Sequence, residues 1–176
     1  DFEKDFLTAQ RESANAFSDD AMYLEKLILE PRHVEVQIMG DSYGHVVALG
    51  ERDCSIQRNP QNLVEEPPPP AVSEKTRKAM MEAAVKAAAS VRYTGAGTIE
   101  FIMDKDGQFY FMEMNTRIQV EHGVTELLTN TDLVMEQIRV SAGEKLSYRQ
   151  EDIPFLGHSI ECRINAEIPE KNFMPS

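Results

Sequence analysis

Several residue types are scarce in this sequence, and each scarcity argues against a class of protein. Two cysteines, Cys54 and Cys162, lie far apart without metal-ligand spacing, so we expect reducing, cytoplasmic surroundings and neither a disulfide framework nor a zinc site. No apolar run reaches the roughly 18 residues that a membrane-spanning helix needs. Basic residues number 18 against 30 acidic ones, and the net charge of −12 repels nucleic-acid phosphates. We therefore expect no membrane and no nucleic-acid partner.

The composition of the chain fits one globular domain. Hydrophobic residues make up 41% of the 176 residues and charged residues 27%, which allows a hydrophobic core of ordinary size. The amino end, DFEKDFLTAQRE, has neither the basic start nor the apolar middle of a secretory signal, and it opens without methionine. We expect the chain to be an internal fragment of a longer protein.

The hydrophobic spacing predicts an α+β fold with a mostly antiparallel sheet flanked by helices. A first amphipathic helix is expected to end near SDD, at 18–20, followed by strands at AMYLEKLI, HVEVQIM and HVVALG. The turn signal GDSYG separates the last two strands. The segment EEPPPP, at 65–70, is expected to be an extended connection, because proline removes a backbone donor and fixes φ.

The second half of the chain predicts a hairpin between two helices. Ser73 is expected to cap the first helix, and TIEFIM, DKDG and QFYFMEM supply the strands and turn of the hairpin. The second helix is expected over 131–142 with Gly143 at its end, and HSIECRINAE is expected to be a last strand. The buried face of the first helix is predicted to comprise Met80, Ala84, Ala87 and Val91.

The segment EMNTRIQVEH, at 113–122, carries more polar side chains than a structural strand requires. Glu113 and Asn115 share one face of the predicted strand because side chains alternate, and Glu100 lies on the partner strand of the hairpin. Two carboxylates and an amide oxygen make an all-oxygen site suited to Mg²⁺ that bridges nucleotide phosphates. The alternative explanation is a set of solvated cross-strand pairs.

Three further polar residues continue this alternation if the strand persists. Arg117 would clamp an anion with two hydrogen bonds, and Gln119 would place an amide beside it. Glu121, near other acids or away from water, would be suited to act as a general base.

Four motifs, ERDCSIQR, GAGTIEF, FMEMNTRIQVEH and GHSIECRINAE, occur in this order and closely resemble those of the biotin carboxylase family of ATP-grasp ligases. The resemblance covers nearly the whole chain. It implies a partial ATP-grasp fold, with 1–27 as the end of the lid (B) subdomain. Residues 28–176 would form the ATP-grasp core and the start of an incomplete C-terminal domain.

The resemblance also implies an activity, since the family is the ATP-dependent half of acetyl-CoA, propionyl-CoA and pyruvate carboxylases. Its members use ATP and Mg²⁺, or Mn²⁺ in its place, to convert bicarbonate to carboxyphosphate and then carboxylate biotin on a carrier protein. The implied partners are a biotin carboxyl carrier protein or domain, a carboxyltransferase and a second copy in a homodimer. In acetyl-CoA carboxylase this is the first half-reaction, which serves fatty acid synthesis.

Positions that match the family motifs receive roles by the same resemblance. Metal and phosphate would be contacted by Glu100, Glu113 and Asn115, and bicarbonate would be held by Arg117, Gln119 and the backbone amide of Val120. Glu121 would deprotonate bicarbonate, and Arg163 would stabilise the biotin enolate. The nucleotide would be bound by an adenine hinge and two neighbours, namely Glu25, Lys26, Ile28, His33 and Gln57.

Three positions depart from the family pattern. Asn62 stands where a lysine contacts bicarbonate or phosphate, which is expected to weaken anion binding. Pro60 removes a backbone donor from a loop near the nucleotide, and Gly123 replaces a proline and is expected to loosen the segment that positions Glu121. Because the family's N-terminal domain, glycine-rich lid and ATP-binding lysine are absent from these residues, we expect little or no activity from this chain alone.

Alternatives to this assignment remain open in the sequence. Another ATP-grasp enzyme, such as a carbamoyl-phosphate synthetase, shares the Glu-x-Asn-x-Arg pattern, although IQVEH and ECRINAE favour a biotin-dependent enzyme. A non-catalytic nucleotide-binding or assembly module would keep the fold without the chemistry. Taken without the resemblance, His33 is an ordinary strand histidine, and Arg163 is a strand residue paired with Glu161 or Glu167.

Overall fold

The computed structural model describes residues 1–58 and 61–176, so the predicted effect of Pro60 lies outside the described residues. Helices and strands are interspersed along the chain, as the α+β prediction requires. The helices are α1 (Phe2–Phe17), α2 (Glu74–Ser90), α3 (His122–Thr129) and α4 (Leu133–Ser141), with short 3₁₀ helices at Gln150–Asp152 and Pro169–Lys171. The strands are β1 (Arg32–Gly40), β2 (Val46–Arg58), β3 (Gln61–Glu66), β4 (Gly95–Met103), β5 (Phe109–Asn115), β6 (Glu161–Cys162), β7 (Glu167–Ile168) and β8 (Met174–Pro175).

Six strands form one sheet in the order β5-β4-β1-β2-β3-β6, and each neighbouring pair is antiparallel. The predicted hairpin is β4 with β5. Its turn forms because the Asp104 carboxylate accepts hydrogen bonds from the backbone amides of Asp106 and Gln108, and Gly107 takes a φ of 78°. The predicted antiparallel sheet is confirmed.

Helix α2 packs on one face of this sheet and is capped as predicted. The Ser73 hydroxyl accepts a hydrogen bond from the backbone amide of Thr76 at 3.1 Å. The buried residues of α2 are Met80, Ala84 and Ala88. The predicted face was wrong at its end, because a spacing of four residues leads to Ala88, whereas Ala87 is half-buried and Val91 lies exposed at the C-cap.

Both faces of β1 are buried, so the alternation of its sequence does not mark a solvent-facing side. Val34, Val36 and Ile38 share one core cluster with the buried residues of α2. Burial of each such side chain contributes about 1.5–3 kcal/mol relative to exposure. Glu35 and Gln37 point to the other face and are also fully buried. Buried polar groups need hydrogen-bond partners, and both side chains accept hydrogen bonds from Arg52 of β2.

The segment AMYLEKLI is not a strand, which corrects the prediction. The side chains of Tyr23, Leu24 and Leu27 are largely exposed, and among the described strands none pairs with this segment. An apolar run without a strand partner lacks the ladder that would satisfy its backbone groups. The predicted subdomain boundary at 27/28 falls here and stays a prediction. Within the described chain, no helix combines the length and the hydrophobicity needed to cross a membrane.

Three further elements differ from the sequence prediction. Glu65 and Glu66 of EEPPPP belong to β3, so the connection begins only at the prolines. HSIECRINAE is not one strand: it supplies the two-residue β6, and its last residue, Glu167, begins β7. The helix predicted over 131–142 is α4, which starts after its N-cap Asp132, and the preceding helix α3 was not predicted. Helix α3 starts inside the polar motif EMNTRIQVEH, where apolar periodicity is weak.

Replacing Gly123 with alanine is expected to raise the free energy of unfolding by about 0.5–1 kcal/mol. Gly123 is the second residue of α3, and a Cβ added there meets no heavy atom within 4 Å. The alanine would therefore lower the entropy of the unfolded chain without a clash. Urea unfolding of the variant measures the effect, and Gly143→Ala is the opposing control. Gly143 has a φ of 89°, so alanine there should destabilise; a gain at both positions would contradict the argument.

Candidate functional site

The carboxylate of Glu100, on β4, is the centre of a polar cluster. Its Oε2 lies 2.7 Å from His33 Nε2, and its Oε1 accepts hydrogen bonds from the side-chain amides of Asn115 and Gln119. Burial alone would raise the pKa of Glu100, but the hydrogen bond with His33 and that residue's charge hold it below its ordinary value. Burial lowers the pKa of His33, yet the hydrogen bond and charge of Glu100 raise it overall. Gln57 Nε2 lies 2.9 Å from His33 Nδ1, which extends the cluster.

The three predicted metal ligands lie on one face of the hairpin. Glu113 is directly opposite Glu100 in the β4–β5 register, and Asn115 is opposite Thr98, two residues away on the same face. Their donor set of two carboxylates and one amide oxygen fits a hard divalent cation. Asn115 turns its amide nitrogen towards Glu100, so an ion shared by the two side chains requires the amide to present its oxygen.

One group of potential metal ligands in this region includes two residues from β1. His33, Glu35 and Glu100 each offer one ligand atom, and these atoms lie within 4.8 Å of one another. Glu113 is not in this group and is exposed. The hairpin therefore places Glu113 at the solvent side of the cluster and Glu100 at its buried side.

A cavity of about 230 Å³ lies beside this cluster. It is lined by Gln61, Asn62, Arg117, Gln119, Val120, Glu121 and Arg163. The structure thus brings together the predicted bicarbonate residues, the predicted base, the predicted enolate-stabilising arginine and Asn62. The prediction that strand alternation brings Arg117, Gln119 and Glu121 to one side was wrong, because β5 ends at Asn115. Instead, a turn closed by the hydrogen bond from His122 N to Gln119 O leads into α3.

Glu121 and Arg163 form an ion pair at the wall of this cavity. Arg163 Nη2 donates to Glu121 Oε2 at 2.6 Å, and the glutamate is almost completely buried. Glu121 is the N-cap of α3, but its carboxylate makes no capping hydrogen bond and so remains free for the arginine. The backbone amide of Arg163 donates to Leu63 O at 2.9 Å, which fixes the arginine beside β3. Arg163 pairs with Glu121 and not with Glu161 or Glu167.

Arg52 holds this region together, although it was not among the residues predicted from the sequence. The side chain is fully buried on β2 and donates from Nε to Glu35 at 2.6 Å. Its Nη1 donates to Gln37 and Thr125, both at 2.8 Å, and its Nη2 donates to Gln119 at 3.2 Å. One guanidinium therefore ties β1 and α3 to Gln119, one of the residues that line the cavity.

The predicted nucleotide residues fall in two places. Lys26 and Ile28 line a groove of about 510 Å³ with the turn at 104–106, and Lys26 Nζ lies 3.4 Å from the Tyr110 hydroxyl. Glu25 is exposed and does not line this groove. His33 and Gln57 belong instead to the cluster around Glu100. Two of the three positions that depart from the family pattern also lie at the site: Asn62 accepts a hydrogen bond from Gln57, and Gly123 follows the Glu121 turn.

Most of the chain matches one known protein family. The family model described as the carbamoyl-phosphate synthase L chain, ATP binding domain, matches residues 1–149. The chloroplastic biotin carboxylase of Arabidopsis thaliana is 59% identical over 99% of this chain and 33% of its own length. Biotin carboxylase 1 of Bacillus subtilis is 60% identical over 95% of this chain and 37% of its own length. The chain thus spans about a third of the length of these relatives.

Solved structures give the same result. The biotin carboxylase domain of a thermophilic 2-oxoglutarate carboxylase bound to bicarbonate superposes with a TM-score of 0.92 at 53% identity, over 98% of this chain and 39% of that chain. A biotin carboxylase complex with β-γ-ATP from Campylobacter jejuni gives a TM-score of 0.88 at 51% identity, over 98% of this chain and 38% of that chain. These likenesses confirm the predicted ATP-grasp fold. The chain belongs to the family of the carbamoyl-phosphate synthase L chain ATP-binding domain, and within it the chain is similar over almost its whole length to biotin carboxylases.

Proposed function

We propose that this chain is part of a biotin carboxylase, a ligase that uses ATP, Mg²⁺ and bicarbonate to carboxylate biotin on a carrier protein. The observation that carries the proposal is the cavity in which Arg117, Gln119, Val120, Glu121 and Arg163 meet. Two guanidinium groups and an amide can hold a small planar anion there, beside one buried carboxylate. A solved relative of this fold was crystallised with bicarbonate, which supports the assignment.

The residues of the site would have different roles in the proposed reaction. Arg117, Gln119 and the Val120 amide would hold bicarbonate while Glu121 removes its proton, which makes the bicarbonate a better acceptor of the ATP γ-phosphoryl group. Glu100, Glu113 and Asn115 would hold Mg²⁺, which supplies charge neutralisation at the phosphates. Arg163 would face the enolate oxygen of biotin in the carboxyl transfer that follows.

The nucleotide and partner assignments are part of the same proposal. Glu25, Lys26 and Ile28 would contact adenine, and His33 and Gln57 would lie beside the nucleotide. Another solved relative, from Hydrogenobacter thermophilus, is a domain dimer in complex with MgADP, ADP and bicarbonate, which supports a homodimer and these ligands here. We further propose a biotin carboxyl carrier and a carboxyltransferase as partners, and the cytoplasm as the compartment.

The test uses the full-length protein that contains this chain. ADP release is measured with and without bicarbonate and free biotin, together with transfer of labelled bicarbonate to biotin. Bicarbonate-dependent ADP release and labelled biotin are expected. Formation of carbamoyl phosphate when ammonia is supplied would instead identify the synthetase alternative, and ATP binding without turnover would identify a non-catalytic module.

Replacing Asn62 with lysine is expected to lower the KM for bicarbonate about 3- to 10-fold, since one added charge pair at a partly exposed site is worth about 1 kcal/mol. Asn62 lines the anion cavity together with Arg117 and Arg163, and it accepts a hydrogen bond from Gln57. Steady-state kinetics of the full-length protein measure the change. Asn62→Gln is the control, because it lengthens the side chain without adding charge. Equal KM values for the two variants would show that the missing charge does not limit anion binding.

A further inference from the structure

Arg163 lies between two buried carboxylates that come from different elements. Its Nη2 meets Glu121, at the start of α3, and its Nε lies 3.2 Å from Glu65 Oε1 on β3. The side chains of Glu65 and Glu121 are 0% and 3% exposed, against 22% for Arg163. The guanidinium therefore has a carboxylate at each of two edges, a hydrogen-bonded one at Nη2 and an ion-paired one at Nε, and only Glu121 has so far been given a role.

Glu65 has little else to interact with. Among the described residues, neither of its carboxylate oxygens has a hydrogen-bond partner, and the same holds for Arg163 Nε. The two side chains meet as an ion pair, and this attraction of opposite charges is the interaction that offsets the burial of Glu65. The backbone sets this geometry, because Glu65 is opposite Glu161 in the β3–β6 register and Arg163 N donates to Leu63 O. The carboxylate and the arginine are thus placed by one strand ladder.

We propose that Glu65 is a positioning residue of the site: its carboxylate holds the Nε edge of Arg163 and thereby keeps the Nη2 edge on Glu121 at the wall of the anion cavity. This inference rests on the proposed function for its catalytic consequence. A guanidinium is planar, so a negative charge at its Nε edge favours the orientation in which Nη2 points to Glu121, whereas an arginine attracted at one point only can rotate about its long side chain.

The ion pair between Glu65 and Arg163 depends on pH, because Glu65 can be protonated. Burial raises the pKa of Glu65 to about 7; Arg163 opposes the shift, and the negative charges of Glu121, Glu161 and Glu35 add to it. Glu65 is therefore largely neutral below about pH 6 and largely charged above about pH 8. The ion pair with Arg163 strengthens as pH rises through this interval.

The experiment is Glu65→Gln in the full-length protein, compared with Glu66→Gln. Glu66 is the adjacent residue on the opposite face of β3 and contacts His158 at 3.1 Å. Above about pH 7 we expect the rate of biotin carboxylation to fall on the order of 10- to 100-fold in Glu65→Gln, with an unchanged KM for ATP. Below about pH 6 the difference from the parent should shrink, because glutamine mimics a protonated glutamate. Glu66→Gln should follow the parent profile.

A crystal structure of Glu65→Gln supplies the second readout, and it does not depend on the proposed function. The contact between Arg163 Nη2 and Glu121 is expected to be lost; an intact contact overturns the inference whatever the rate does. An unchanged rate and pH profile in Glu65→Gln also overturns the catalytic consequence. If the parent protein shows no bicarbonate-dependent turnover, the proposed function fails and the contact alone decides the positioning role. Should Glu65→Gln not fold, Glu65→Asp, with its shorter reach, is expected to lose the same contact.

Discussion

Replacing Arg52 with methionine is expected to lower the free energy of unfolding by about 3–5 kcal/mol, the usual cost of removing one partner of a buried ion pair. The methionine nearly fills the volume but leaves the carboxylate of Glu35 buried without its partner. Gln37 and Gln119 also lose the donors that their side-chain oxygens accept from. Urea unfolding of the full-length protein, with hydrogen exchange to locate the loss at β1 and β2, measures the effect.

Arg32→Met is the matched control for this prediction. Arg32 also pairs with an acidic residue of β2, at 3.1 Å from Asp53, but its side chain is 48% exposed. An ion pair that solvent screens contributes about 0–1 kcal/mol, so this variant should change stability much less. Similar losses in both variants would mean that burial of Arg52 does not set the strength of its interactions.

The ion pair between Arg52 and Glu35 was not predicted from the sequence. The charged segment at 51–53 interrupts an apolar run and resembles the start of a loop, yet β2 continues through it to Arg58. The signal was present on the neighbouring strand, since Glu35 and Gln37 alternate with valines and need partners if both faces are covered. Because Arg52 is opposite Glu35 in the β1–β2 register, pairing the two strands in sequence would have found the ion pair.

Strand periodicity explains only part of how the candidate site is assembled. Strand alternation correctly placed Glu100, Glu113 and Asn115 on one face of a hairpin, because local periodicity and a clear turn fix that element. The same rule failed beyond Asn115, where Gln119 and Glu121 reach the cavity through a turn and a helix N-terminus. The family motif still grouped these residues correctly, and the β3–β6 ladder that brings Arg163 to them is too long-range for sequence spacing to predict.

Replacing Glu121 with glutamine is expected to lower bicarbonate-dependent turnover about 10²- to 10⁴-fold, the contribution of a positioned general base. Glutamine keeps the shape and can still accept from Arg163, but it cannot take a proton from bicarbonate. Binding of MgATP should be unchanged, because Glu121 lies at the anion cavity and not among the predicted metal ligands. Steady-state kinetics and calorimetric titration of the full-length protein separate the two effects.

The control for this variant is Glu144→Gln, which removes the same charge at an exposed position. If Glu121 and Arg163 act as one unit, adding Arg163→Met to Glu121→Gln should cost much less than Arg163→Met does alone. Additive losses would show instead that the two residues serve separate steps. Full activity of Glu121→Gln would remove the proposed base, and the ion pair at 2.6 Å would then be a structural link between α3 and the segment after β6.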